Sequence, residues 1–323
     1  MSDSPPLGGR RRSRFGGEPV THRQAVWLMV GVTLMWSIAG VVTRFLESAR
    51  GFEVTFWRSA ANALALVLIL SVMRGPGTLW RSIRDGDRAF WIASACWAVM
   101  YTAFMMALTL TTVANVLITM ALAPLFTALA SRVFLGHRLA ARTWGAIVVA
   151  GLGIAWMYGR EVSGAGAQHL LGTAVALGVP IAAAVNWTLM QHLHHGEDEG
   201  GDMLPAVLVG ALLSAGVTLP LALPLSASLH DVGLLSLLGV VQLAIPCLLS
   251  LSATRVLKAP EISLLGLLEV VFGVLWAWLG AGEAPSVSVL GGGALVLGAL
   301  VANEALGMRE GKLRPAGGRP VVP

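Results

Sequence analysis

Between Ala89 and Ser131 the chain runs for 43 residues without one Asp, Glu, Lys or Arg. A helix needs roughly 20 apolar residues to cross the hydrocarbon of a bilayer, with every backbone polar group bonded inside the segment. The run is therefore too long for one crossing. Thr109, Thr111, Thr112 and Asn115 mark where two helices meet. Further charge-free runs, Ala25 to Thr43, Thr143 to Gly159, Val232 to Thr254 and Ala284 to Asn303, each predict a span. With 56% hydrophobic and 12% charged residues, most of the chain is expected to sit in lipid.

Val162 to Gln191 and Met203 to Leu229 each hold a helix and a short connection. Two further spans carry one charge apiece, Arg58 within Val54 to Met73 and Glu269 within Ile262 to Gly282. The count is ten, and the second five centres follow the first five at a near-constant interval. At an offset of 146, residues 115 to 155 give only five identities, among them Phe126 with Phe272 and Gly136 with Gly282. The correspondence thus lies in layout and not in identity. Basic residues test it independently, since Lys and Arg gather in short cytoplasmic loops. With the N-terminus inside, 18 of the 22 basic residues fall on the cytoplasmic side, and only Arg44, Arg50, Arg58 and Arg160 fall outside. Five helices per half is odd, so the halves enter the membrane in opposite directions.

The expected fold is an all-α integral membrane protein of ten transmembrane helices in two inverted five-helix repeats. Residues 1–24 form a disordered basic tail, 25–160 the first repeat, 161–306 the second and 307–323 a second disordered tail. Both termini are cytoplasmic, and the expected location is the inner (plasma) membrane. A net charge of +5 is explained by loop asymmetry, which leaves no case for nucleic acid. Cys96 and Cys247 fall inside predicted helices and support neither a disulfide framework nor a Cys-based metal site. Gly291 to Gly293 lies in an apolar span without a Walker lysine, which excludes a phosphate cradle.

In Ala121 to Leu139 (ALAPLFTALASRVFLGHRL) and Leu267 to Pro285 (LLEVVFGVLWAWLGAGEAP) the chain resembles the drug/metabolite transporter superfamily, in its ten-helix EamA-type branch. Trp36-Ser37 ahead of Val41 to Phe45, and Phe56-Trp57-Arg58, are similar to the openings of the family's first and second helices. His137 stands where the family usually has Glu, and Val270 where it often has Pro. The resemblance spans about 25 to 305. It implies a polytopic inner-membrane carrier of small metabolites, usually outward, with no cofactor.

Glu269 lies roughly 12 Å into the ninth span. A charge at that depth costs about 2.5 to 3.5 kcal/mol on insertion scales, so it faces a cavity or a partner. It is a candidate for proton coupling or for holding a substrate amine, against a purely structural pairing. Arg58, one turn inside the second span, either snorkels to the interface or meets a substrate carboxylate or Glu269. Trp36, Asn62, Tyr101 and Gln242 share the mid-depth of their helices, where they line a cavity or serve as interhelical glue. Asn186-Trp187 lies closer to the cytoplasmic end of its helix, where Trp anchors at the interface or takes part in binding. Pro124, Pro180 and Pro246 fall inside predicted helices and can kink them. The cluster His192, His194, His195, Glu197, Asp198, Glu199 and Asp202 reads as a solvated connecting loop, its His spacing matching no tight tetrahedral pattern on a helix face, against a weak metal-sensing or cation-efflux role.

No catalytic residue, metal or cofactor is expected. Partners are the lipid bilayer, a small-molecule substrate and protons. The reading is a secondary transporter exporting a small organic metabolite by alternating access. The alternatives are a membrane-embedded enzyme and a structural or signalling membrane protein.

Overall fold

The computed structural model describes residues 21–111, 116, 119–136, 140–158, 167–195, 202–281 and 287–313. Most of these residues are helical, with no strand among them. His137, Glu283 and the Glu197 to Glu199 stretch lie outside the described residues.

The elements run in order as α1 (His22–Trp36), α2 (Ala39–Val42) continued by a 3-10 turn (Thr43–Phe45), α3 (Phe52–Arg74), α4 (Pro76–Arg84) and α5 (Arg88–Leu110). Then come α6 (Ala123–Leu135), α7 (Ala141–Tyr158), α8 (Ala167–His195) and α9 (Leu204–Ala222). The last group is α10 (Leu229–Leu237), a π-helical stretch (Leu238–Ala244), α11 (Ile245–Ala253), α12 (Ala259–Gly266), α13 (Leu268–Ala281) and α14 (Val287–Leu313). Among the described residues, seven stretches are long and apolar enough to cross a membrane: 22–45, 52–74, 88–110, 170–193, 204–222, 229–253 and 259–280. Three shorter apolar helices, Ala123–Leu135, Ala141–Trp156 and Leu290–Asn303, accompany them. The chain is a multi-pass membrane protein.

Sequence dictates which way each helix faces, and α3 shows it inverted relative to a soluble helix. Its buried side carries Glu53, Arg58, Ser59 and Asn62, whereas Leu64, Leu68 and Val72 are exposed. Lipid solvates the leucines, so only the polar groups gain by facing other helices. Accordingly Ser214 of α9 meets the hydroxyls of Ser59 on α3 at 2.9 Å and Thr102 on α5 at 2.8 Å. Thr127 of α6 likewise meets Ser263 of α12 at 2.7 Å. Close approach elsewhere depends on missing side chains. A Cβ on Gly239 would stand 2.6 Å from the Arg58 carbonyl and 2.7 Å from the Asn62 nitrogen.

Packing joins α3 to α9, α5 to α8 and α9, α6 to α8 and α12, and α7 to α14. α1 packs on α11, α12 and α13. Two features depart from the sequence reading. The segment after Arg74 contains a surface helix, α4, which buries Leu79 and exposes Trp80. α8 continues to His195, so the histidines at 192, 194 and 195 ride on a helix end and not on a loop.

Several spans are interrupted. α1 stops at Trp36 and resumes as α2 at Ala39, while α12 stops at Gly266 and α13 starts at Leu268. Pro124 was expected inside a continuous helix but sits in the first turn of α6, where a missing N–H costs nothing, whereas Pro246 lies inside the helical run 229–253, just after its π-helical stretch. Pro180 remains within α8.

Candidate functional site

These interruptions converge on one cavity of about 140 Å³. Five of the six candidate residues line it: Trp36, Arg58, Tyr101, Gln242 and Glu269. The sixth, Asn62, does not line it but stands beside the Tyr101 hydroxyl.

Arg58 is 1% exposed and does not snorkel, because inward partners outbid the interface. Its Nη2 donates to the Tyr101 carbonyl at 2.8 Å and its Nη1 to Gln242 Oε1 at 3.4 Å, and its Cζ lies 6.0 Å from the Phe104 ring centre. Gln242 passes the connection on, its Nε2 donating to the Trp36 carbonyl at 3.3 Å. That carbonyl is available because α1 ends there, and the last carbonyls of a helix have no partner of their own. The same break is held from the other side, where Trp276 Nε1 donates to Ser37 Oγ at 2.9 Å.

Gln242 owes its position to local backbone. It sits in the π-helical stretch, and Pro246, four residues on, has no N–H to offer its carbonyl. Glu269 lies in the first turn of α13, immediately after the break at Leu267. Among the described residues its carboxyl takes no hydrogen bond and no ion pair, although the Arg58 charge acts on it. A carboxyl bordering a cavity without a fixed partner is free to meet whatever enters.

Aromatic rings supply the rest of the wall. Trp97 stacks on Tyr101 at 5.7 Å between centroids, and Trp187 meets Trp97 edge-on at 5.7 Å. The Tyr101 hydroxyl sits beside the Cys247 thiol and the Asn62 amide without completing a hydrogen bond among the described residues. Asn62 is fully buried, and both of its amide atoms are equally unpaired.

Trp187 corrects the expectation of an interfacial anchor, since it is 5% exposed and faces the cavity. Sequence reasoning missed Trp97. Its spacing of four from Tyr101 puts both on one helical face and was the available signal. The lining also pairs residues 146 apart: Trp97 with Leu243, Tyr101 with Cys247, Met120 with Gly266 and Ala123 with Glu269.

Residues 23–159 match the model of the EamA-like transporter family. No curated protein matches the sequence. Among solved structures, the chain is similar to one described only as a crystal structure of a protein. The two share 16% identity and a TM-score of 0.73, over 89% of this chain and 99% of the other. At that identity the likeness shows the fold alone.

Proposed function

We propose that this chain is a secondary transporter that carries a small organic metabolite outward across the inner membrane by alternating access, a reading supported by the match of residues 23–159 to the EamA-like transporter family. The observation that carries the reading is Glu269, an unbonded carboxyl on the wall of an aromatic cavity among broken helices. Discontinuous helices recur at transporter sites because a helix break exposes backbone groups to a ligand and gives the wall a hinge.

We read the ten apolar helices as two inverted repeats, 25–160 and 161–306. Packing supports this. Exchanging each span for its counterpart turns the contact of α5 with α8 into that of α11 with α1, and the contact of α6 with α8 into that of α12 with α1. The pairs α3 with α9, α6 with α12 and α7 with α14 map onto themselves. Residues 146 apart meeting on one cavity wall support it further.

In this reading Trp36, Tyr101, Asn62, Gln242 and Arg58 shape the substrate site, and Glu269 couples transport to protons. The experiment is an export and uptake screen over a broad metabolite panel in cells with and without the protein, repeated in proteoliposomes. Flux of at least one metabolite is expected. Its absence across the panel would favour a structural or signalling membrane protein.

A further inference from the structure

At one end of the bundle two buried carboxylates grip each other's half of the chain. Asp231, at the start of α10, is 0% exposed and accepts from the backbone N–H groups of Glu47, Ser48 and Ala49 at 2.9, 2.8 and 2.8 Å. The Ser48 hydroxyl adds a fourth bond at 2.8 Å. Glu53, at the start of α3, is 4% exposed and accepts from the Ser226 and Ala227 N–H groups at 2.7 and 2.8 Å and from the Ser226 hydroxyl at 3.0 Å. A last bond, Ser228 N–H to Ser48 Oγ at 2.9 Å, closes the seam. Each carboxylate belongs to one half and holds the loop of the other.

Beneath the seam lies an apolar plug distinct from the main core. Ala39, Ala49, Val54, Met105, Leu235 and Leu238 form it, and Phe104 packs on it from the cavity wall. The opposite end is tied differently. There His22 pairs with Glu261 at 2.8 Å and Arg74 pairs with Asp202, and all four side chains are partly or largely exposed. Charge-assisted bonds to a desolvated carboxylate are roughly twice as strong as neutral ones, whereas exposed pairs contribute about 0 to 1 kcal/mol.

We propose that the Glu53 and Asp231 clasp, with the plug beneath it, is the outer gate of the cavity, closed in this structure. The inference rests on the transport reading for its direction. Its geometry stands without it. Opening the outer side requires loops 46–51 and 223–228 to part, and the clasp sets the energy of that step.

Cys247 on the cavity wall is a native reporter, and in a Cys96→Ser background it is the sole thiol. It is labelled with a membrane-impermeant thiol reagent from each face in turn, in right-side-out and inverted vesicles. Glu53→Ala and Asp231→Ala should raise labelling from the outer face on the order of tenfold, with none of that rise from the inner face. An equal rise on both faces means general loosening and overturns the gate, as does no rise. Where an alanine variant fails to insert, Ser48→Cys with Ser228→Cys in the same background replaces it. Oxidation should stop outer labelling of Cys247, read on the Cys247 peptide by mass spectrometry so that the two added thiols do not count, and reduction should restore it. Labelling that persists in fully cross-linked protein overturns the proposal. These arms need no substrate, so a chain without flux would refute transport while still deciding the gate. Where flux is measured, the cross-link should block it reversibly.

Discussion

Arg58 and Glu269 place opposite charges on one cavity wall without a direct ion pair between them, and the two residues differ in what they have to lose. Arg58 is fixed by the Tyr101 carbonyl and Gln242, with its Nε left unpaired among the described residues. Exchanging a whole buried pair of opposite charges for apolar side chains is commonly neutral or stabilising, whereas removing one member and leaving the other behind costs about 3 to 5 kcal/mol. Arg58→Met removes the charge that acts on Glu269 and orphans the Tyr101 carbonyl, so it is expected to lower the melting temperature in detergent, and Arg58→Met with Glu269→Leu to recover part of it, while both cut flux about tenfold or more. No recovery in the double variant would make Arg58 a structural strut. Glu269 has no bond to lose, so Glu269→Gln should leave the protein inserted and monodisperse. Proteoliposome flux measured across a pH series should then be flat in the variant where the parent responds. A preserved pH response would remove Glu269 from the coupling role. Sequence marked both residues, because a charge inside an apolar run is conspicuous. It could not tell an inward Arg58 from a snorkelling one, since reach and depth permit both and only the neighbours decide.

Helices were read at the level of existence more securely than at the level of continuity. Hydropathy reports what solvates a segment and is blind to whether its hydrogen-bond ladder runs through, so the breaks at Ser37 and Leu267 left no trace in it. The ninth span reads as one apolar run, yet α12 and α13 are separate, and Glu269 reaches the cavity from the start of the second. Close contacts are equally invisible, because a glycine looks alike in a crowded seam and on an open face. Gly239 and Gly233 make the contrast testable within one composite helix. A methyl at Gly239 would collide with the Arg58 backbone, whereas at Gly233 nothing lies within 4 Å. Gly239→Ala is expected to cost about 1 to 3 kcal/mol and to lower the melting temperature, as overpacking does. Gly233→Ala is expected to be neutral or to gain roughly 0.5 to 1 kcal/mol from better helix propensity. Equal melting temperatures for the two would mean that the seam between α3 and the π-helical stretch is loose.

At the scale of the molecule, the basic asymmetry of the loops predicts an orientation that labelling can test. Cysteines at Glu47 and Thr78, both exposed, should react with an impermeant thiol reagent from opposite faces of the membrane, Glu47→Cys from outside and Thr78→Cys from the cytoplasm. Labelling of both from one face would invert the topology or change the span count. The proposed layout of two halves rests on spacing, which carries no signal for the clasp between 46–53 and 226–231. Glu53 and Asp231 look like ordinary solvated acids at helix starts until the fold brings the opposite loop onto each. That crosswise grip has a bearing on how the chain is made. Asp231 follows the three N–H groups it holds by 182 to 184 residues. A chain synthesised only as far as residue 230 therefore lacks the acceptor for those N–H groups, and the turn at 46–49 is completed only once Asp231 has been made. Each half is a template that the other completes.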